Sequence, residues 1–205
     1  MTVFVMSVDD VDNRHRDICK KYFPKRYESA LSFHNENDTL LSIAGAYLIH
    51  RIVRISEKDI SYTKNNKPCT TKHPTFFNIS HSGKYAVLVA SSVEVGVDIE
   101  KAERKNLVCA RRVFTDFERE WMDDDVTKFS ILWTLKESVM KALGEGLRLP
   151  ARDFDVMPFL KNESITLNGT QLNAYTTLYD GYAVSVCACN DTDNKFDGID
   201  IARIS

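Results

Sequence analysis

Residues 93–100 read VEVGVDIE, and the alternation of apolar and acidic side chains in this stretch decides how the rest of the chain is read. As an extended strand it places Val93, Val95, Val97 and Ile99 on one face and Glu94, Gly96, Asp98 and Glu100 on the other. Such a pattern belongs to an antiparallel sheet with one face on a core. Two readings of the second face stand open: an ordinary wetted face, or a surface against which something is held. Gly96 weakens a strand and marks a place of close approach. Asp98 and Glu100, on one face, repel each other unless a cation neutralises them. Two hard oxygen ligands of this kind suit Mg²⁺, which takes a few carboxylates together with phosphate oxygens and water.

The stretches on either side carry the matching chemistry. Upstream, FNISHSG at 77–83 ends an apolar run, and its Ser80-His81-Ser82-Gly83 segment is expected as a turn. Successive N–H groups there, with a hydroxyl and an imidazole, would cradle a phosphate. A Ser-His-Asp hydrolase fits poorly, because adjacent residues of an extended segment point apart and no G-x-S-x-G elbow is present. Downstream, WTLKESVMKALGEGL at 133–147 reads as helix, with Leu132, Leu135, Val139 and Leu143 as its buried stripe. Glu137 and Lys141 stand four apart on another face that Trp133 shares. They read either as a surface ion pair or as a third acid and a cation facing Asp98 and Glu100. Zinc, Walker and dinucleotide-binding patterns are absent from the sequence.

Around these motifs the chain has 205 residues, 43% hydrophobic and 27% charged, the balance of a globular protein with ample core. A formal charge of −2 gives no reason to expect a nucleic-acid partner. No apolar run is long enough to span a membrane, and the opening MTVFVMSVDD lacks the basic leader of a signal peptide. The five cysteines are odd in number and scattered; Cys187 and Cys189 share one face of a strand and read as reduced core thiols. A cytoplasmic location follows from these points. Strands are expected at 2–8, 84–92 and 93–100, a basic helix or turn at 11–23, and a long helix at 37–55 capped by Asn37 or Asp38. Residues 62–75 form a polar loop and 107–114 a helix; Thr115 to Glu118 has capping-box spacing, and the second long helix ends at Gly144. Asn168-Gly169 and Asp180-Gly181 mark tight hairpins. The fold expected is α+β, with two similar fused lobes related by a pseudo-twofold. Each is a small antiparallel sheet packed on a long helix, one spanning 1–100 and the other 101–205, with the site between them.

Taken in order, FNISHSG, VGVDIE and WTLKESVMKALGEGL resemble the 4′-phosphopantetheinyl transferase superfamily, in its single-chain, surfactin-synthetase-activating form. The resemblance is strong over about residues 67–158 and implies transfer of the phosphopantetheine arm of coenzyme A (CoA) to a serine of an apo acyl or peptidyl carrier protein. Adenosine 3′,5′-bisphosphate would leave. By motif it implies that Asp98 and Glu100 are ligands of Mg²⁺, or of Mn²⁺, and that Glu137 is a third acid, as ligand or base. It further implies that Lys141, Ser80 and His81 meet CoA phosphates, and that Lys67-Pro68 lies along the adenine and its phosphate. Asn66 stands where the family has glycine, and the stretch 35–48 lacks the arginine expected to grip the 3′-phosphate. Arg14 and Lys20, with His15, Arg16 and Lys21, are nearby basic candidates for that role. The protein is expected to be a monomer. Its carrier would dock on residues 104–114, where Arg104, Lys105, Arg111 and Arg112 alternate with apolar side chains. A CoA-binding module without catalysis and a different Mg²⁺ phosphotransferase or nuclease are the competing classes. The first would lack Glu137 or Lys141, and the second would show a water-positioning base or a nucleic-acid track.

Overall fold

The computed structural model describes residues 1–70, 74–103, 109–189 and 198–205. Two four-stranded sheets carry the fold. The first joins β1 (Thr2–Ser7), β4 (Phe76–Ser82), β5 (Tyr85–Ser91) and β10 (Asp200–Arg203) in the order β10-β1-β5-β4. The second joins β6 (Val95–Lys101), β7 (Ile165–Leu167), β8 (Thr170–Tyr179) and β9 (Tyr182–Cys189) in the order β6-β9-β8-β7. A short hairpin of β2 (Ile60–Tyr62) and β3 (Pro68–Thr70) stands apart. Each large sheet has a long helix on it, α3 (Glu36–Leu48) in the first half and α6 (Val126–Leu143) in the second, so the α+β, two-lobe architecture is present.

The sheets meet through the apolar faces that the alternation demands. Val95, Val97 and Ile99 of β6 are fully buried with Val3, Val5, Val87, Val89, Val184 and Val186, a core shared by both sheets. The division between halves differs from the expected 1–100 and 101–205. Because β6 pairs with β9 (Asp98 opposite Ser185, Glu100 opposite Ala183), the acidic strand lies in the second sheet, and the crossing falls between β5 and β6. The end of the chain returns to the first sheet, where β10 runs parallel to β1 and Arg203 pairs with Asp10.

Elsewhere local chemistry sets the elements. Asp125 caps α6 by accepting from the Thr127 and Lys128 amides, and Gly144 ends it in the left-handed region at φ 68°. Thr115 and Glu118 form the expected capping box at the head of α5 (Asp116–Met122). Both Asn168-Gly169 and Asp180-Gly181 have the positive φ pairs of tight hairpin turns. Two helices precede α3: α1 (Asn13–Tyr22), and α2 (Pro24–Leu31), which opens on a proline. The helix expected over 107–114 is a single turn, α4 (Ala110–Val113). Residues 104–108 of the proposed docking stretch lie outside the described residues. Of the rest, Arg111 and Arg112 are exposed and Phe114 is buried in the core. All five cysteines are free, and no helix among the described residues is long and apolar enough to cross a membrane.

Candidate active site

Three elements meet at the seam between the sheets. Strand β4 alternates Asn78, Ser80 and Ser82 toward β6, where their side chains take the place of a backbone ladder. Asn78 Oδ1 accepts from the Val97 amide at 2.9 Å. The Ser80 hydroxyl donates to Asp98 Oδ1 at 2.7 Å, and the Ser82 hydroxyl to Glu100 Oε2 at 3.0 Å. The segment 80–82 is therefore strand rather than the expected turn: Ser80 pairs with Val87 and His81 with Ala86 of β5. Any phosphate contact from Ser80 or His81 comes from side chains, not from a nest of turn amides.

Helix α6 covers the acidic face of β6, which settles the first open reading: Asp98 is only 3% exposed. Gly96 is what lets the helix come so close. A Cβ there would stand 2.1 Å from the Ser138 carbonyl oxygen and 2.4 Å from the Ala142 amide. The helical repeat then aims Trp133, Glu137 and Lys141 at the same cavity, of about 430 Å³, that Asp98 and Glu100 line. Lys141 Nζ donates to Asp98 Oδ1 at 2.6 Å, to Ser80 Oγ at 3.0 Å and to the Val97 carbonyl at 3.3 Å. Asp98 Oδ2 is buried without a hydrogen-bond partner, an orphaned carboxylate oxygen at the centre of the site. Burial raises the pKa of Glu100 and of Glu137, and the charge of Asp98 adds to both shifts. Three carboxylates thus converge on a cavity whose cations are the Lys141 ammonium and the Arg26 guanidinium, so acids outnumber them.

A larger cavity of about 770 Å³ adjoins this one, with Arg26 and His81 on the wall of both. Its floor is aromatic and aliphatic: Phe23, Phe33, Ile60 and Tyr62. Arg26 is the cation at this junction that the sequence reading missed. It sits on α2 rather than in 35–48, and its Nε donates to the Ser42 carbonyl at 3.2 Å and hydroxyl at 3.3 Å. Its backbone amide is anchored by Glu57 Oε1 at 3.0 Å. Its guanidinium crosses α3 above Gly45, where a Cβ would come within 2.9 Å of Nη2. A glycine in the middle of SIAGAYL, and Pro24 opening a helix just ahead of Lys25-Arg26, were the signals available. The pKa of His81 is lowered by loss of water around it and then by the charges of Arg26 and Lys141, although part of the ring stays exposed.

The other expected residues are placed differently. Arg14 and Lys20 are exposed on α1 and line neither cavity. Pro68 lines a small separate pocket of about 80 Å³ with Lys67, Phe76 and Phe77. Lys67 points its ammonium at Glu94 and at the Ala142 carbonyl, 2.7 Å away, rather than into the large cavity. Asn66 has φ 62°, so the backbone keeps the left-handed shape for which glycine is suited and asparagine is tolerated.

The cleft is thus an acid-lined site, hungry for cations, that opens onto a larger cavity with a guanidinium at its entrance: the features of a protein that handles a phosphorylated substrate. The sequence pattern of the 4′-phosphopantetheinyl transferase superfamily matches residues 94–187. The Bacillus subtilis (strain 168) 4′-phosphopantetheinyl transferase Sfp is 30% identical, over 82% of this chain and 82% of its own. The transferase gsp of Aneurinibacillus migulanus is 28% identical over 91% of this chain and 84% of its own. Among solved structures, a Helicobacter pylori holo-[acyl-carrier-protein] synthase in complex with coenzyme A aligns with 47% of this chain and 99% of its own, at 17% identity and a TM-score of 0.34. The chain belongs to the 4′-phosphopantetheinyl transferase superfamily.

Proposed function

We propose that this protein transfers the 4′-phosphopantetheine arm of CoA to a serine of an acyl or peptidyl carrier protein, with release of adenosine 3′,5′-bisphosphate, and that it requires Mg²⁺ or Mn²⁺. One observation carries the reading beyond family membership: Asp98, whose Oδ2 is buried and unpartnered, lines a cavity where Glu100 and Glu137 already bear the cost of burial. Hard carboxylate oxygens are the donor set that a divalent cation prefers. Among the described residues no three ligating side chains form a ready cage, so Asp98 and Glu100 would hold the cation with phosphate oxygens and water completing its shell. Bound there, the cation would neutralise charge that develops on the diphosphate oxygens.

The remaining steps fall to the chain's own side chains. Lys141, already at the site through Asp98 and Ser80, supplies a fixed positive charge beside the leaving bisphosphate. Arg26, with its Nε and amide anchored, offers its terminal nitrogens to an anionic group of CoA at the junction of the cavities. Phe33 and Tyr62 offer faces on which a flat base can stack. Glu137, raised above the ordinary carboxylate range by burial, suits the role of acceptor for the serine proton. The carrier docks on α4, whose Arg111 and Arg112 are exposed to meet an acidic partner. The protein works as a monomer in the cytoplasm, because one chain supplies both walls of the seam and its cysteines are unpaired.

Incubation with CoA, Mg²⁺ and a panel of apo carrier proteins, read by intact mass, tests this reading. The expected result is a carrier heavier by one phosphopantetheine, abolished by chelation of the metal. No mass gain on any carrier would reject it.

A further inference from the structure

The loop between β2 and β3 reaches the far end of the catalytic helix. Lys67 Nζ donates to the Ala142 carbonyl at 2.7 Å and pairs with Glu94, and Asn65 Nδ2 donates to the Gly144 carbonyl at 2.8 Å. Both carbonyls belong to the end of α6, where no further helical amide follows to satisfy them and where the helix dipole favours a cation. The lysine stem also lies over Gly144, whose absent Cβ would sit 3.2 Å from Lys67 Cδ. The loop itself is pinned: the Thr63 amide donates to the Lys67 carbonyl at 3.0 Å, and the Lys67 amide to the Thr63 hydroxyl at 3.1 Å. On the other side of the hairpin, Ile60 and Tyr62 form part of the wall of the large cavity.

We infer that Lys67, assisted by Asn65, is a positioning residue that latches the end of α6 to the β2–β3 hairpin, so that the wall of the large cavity and the helix bearing Glu137 and Lys141 move as one body. The inference rests on the proposed transfer reaction for its functional consequence. It reassigns Lys67 from the CoA phosphate contact that the sequence resemblance implied. Lys141 is one residue from Ala142, so slack at this end passes directly to the ammonium that reaches Asp98. Neither Lys67 nor Asn65 needs to touch substrate for this.

Two measurements on Lys67→Met, Lys67→Arg, Asn65→Ala and Glu94→Gln test the latch. The first is amide hydrogen exchange over residues 138–146. Lys67→Met keeps the aliphatic stem and should speed exchange at the end of α6, as should Asn65→Ala, whereas Lys67→Arg should restore most of the protection. The second is steady-state transfer with CoA. Misplacement of about 1 Å in a catalytic group costs roughly 10²-fold in rate, so Lys67→Met should lose kcat by about 10- to 100-fold with the KM for CoA little changed. Glu94→Gln, which removes a negative charge and would aid a direct phosphate contact, should instead lower kcat in the same direction as Lys67→Met. Unchanged exchange in Lys67→Met would overturn the latch. So would a rise in the KM for CoA with kcat kept, since that marks direct contact with substrate. If the wild-type protein transfers nothing, the proposed reaction fails, and the exchange measurement still decides the latch.

Discussion

Lys141 commits its ammonium to Asp98 Oδ1 at 2.6 Å, while among the described residues the side-chain partner of Glu100 is the Ser82 hydroxyl. Burial, with the charge of Asp98 added to it, makes the Glu100 and Glu137 carboxyls hold their protons to higher pH than usual. His81 is displaced the other way. Its folded pKa lies below the ordinary 6.5, so between 6.5 and the lowered value the unfolded chain binds the extra proton and the folded one does not. Stability that is full above pH 6.5 should therefore decline as pH falls through that window. His81→Gln should flatten that part of a plot of denaturation midpoint against pH, and added CoA should oppose the decline because its phosphates favour the charged imidazole. A wild-type slope identical to that of His81→Gln would remove this role. At this scale the acids were legible because strand alternation and helical spacing each place them without knowledge of the fold. Arg26 was not legible, since its reach to His81 and the cavity depends on how α2 crosses α3 above Gly45.

Among elements, the contact of α6 with β6 governs the site. Gly96→Ala would drive a methyl into the backbone of α6, 2.1 Å from the Ser138 carbonyl. Overpacking of this kind costs about 1–3 kcal/mol, and rigid backbone leaves little room for relief, so urea denaturation should show a loss at or above that range. A second fastening lies on the opposite side of α6. Lys136 is fully buried, and its ammonium donates to the Ala151 and Phe154 carbonyls at 2.7 and 2.6 Å and pairs with Glu118 at 2.9 Å. Glu118 in turn accepts from the Val156 and Thr115 amides. Lys136→Met leaves that carboxylate buried without a cation, a change worth about 3–5 kcal/mol, which the same denaturation measurement should register. A loss below about 1 kcal/mol would mean that the pair is dispensable, as exposed pairs are. The two long helices were readable from their apolar spacing. Lys136 was not, because nothing local distinguishes a buried lysine from its neighbours in WTLKES. The strand through Ser80 and Ser82 was likewise read as a turn, since its polar residues make sense only once β6 presents Asp98 and Glu100 to them.

In the whole molecule, the two sheets share one valine-rich core, and the site occupies the edge where β4 and β6 run side by side. The α+β class and the pairing of a long helix with a small sheet in each half followed from the order of strand and helix patterns. The return of β10 to β1 did not, because so short a strand gives no local sign of its partner. The stretch matched by the family pattern, 94–187, runs from the acidic strand through α6 and into β9, so it contains all three carboxylates, whereas Arg26, Ser80 and His81 stand outside it. On the account proposed here, substrate is held from both lobes and the metal chiefly from the second. The most direct test compares the wild-type protein with Asp98→Asn, a variant that keeps the shape of the side chain and its Oδ1 acceptor while removing the charge. CoA binding and transfer to an apo carrier would be measured with and without Mg²⁺. Mg²⁺ should strengthen CoA binding to the wild type but not to Asp98→Asn, and transfer by the variant should fall about 10²–10³-fold. Mg²⁺-dependent transfer by Asp98→Asn at nearly the wild-type rate would contradict that expectation.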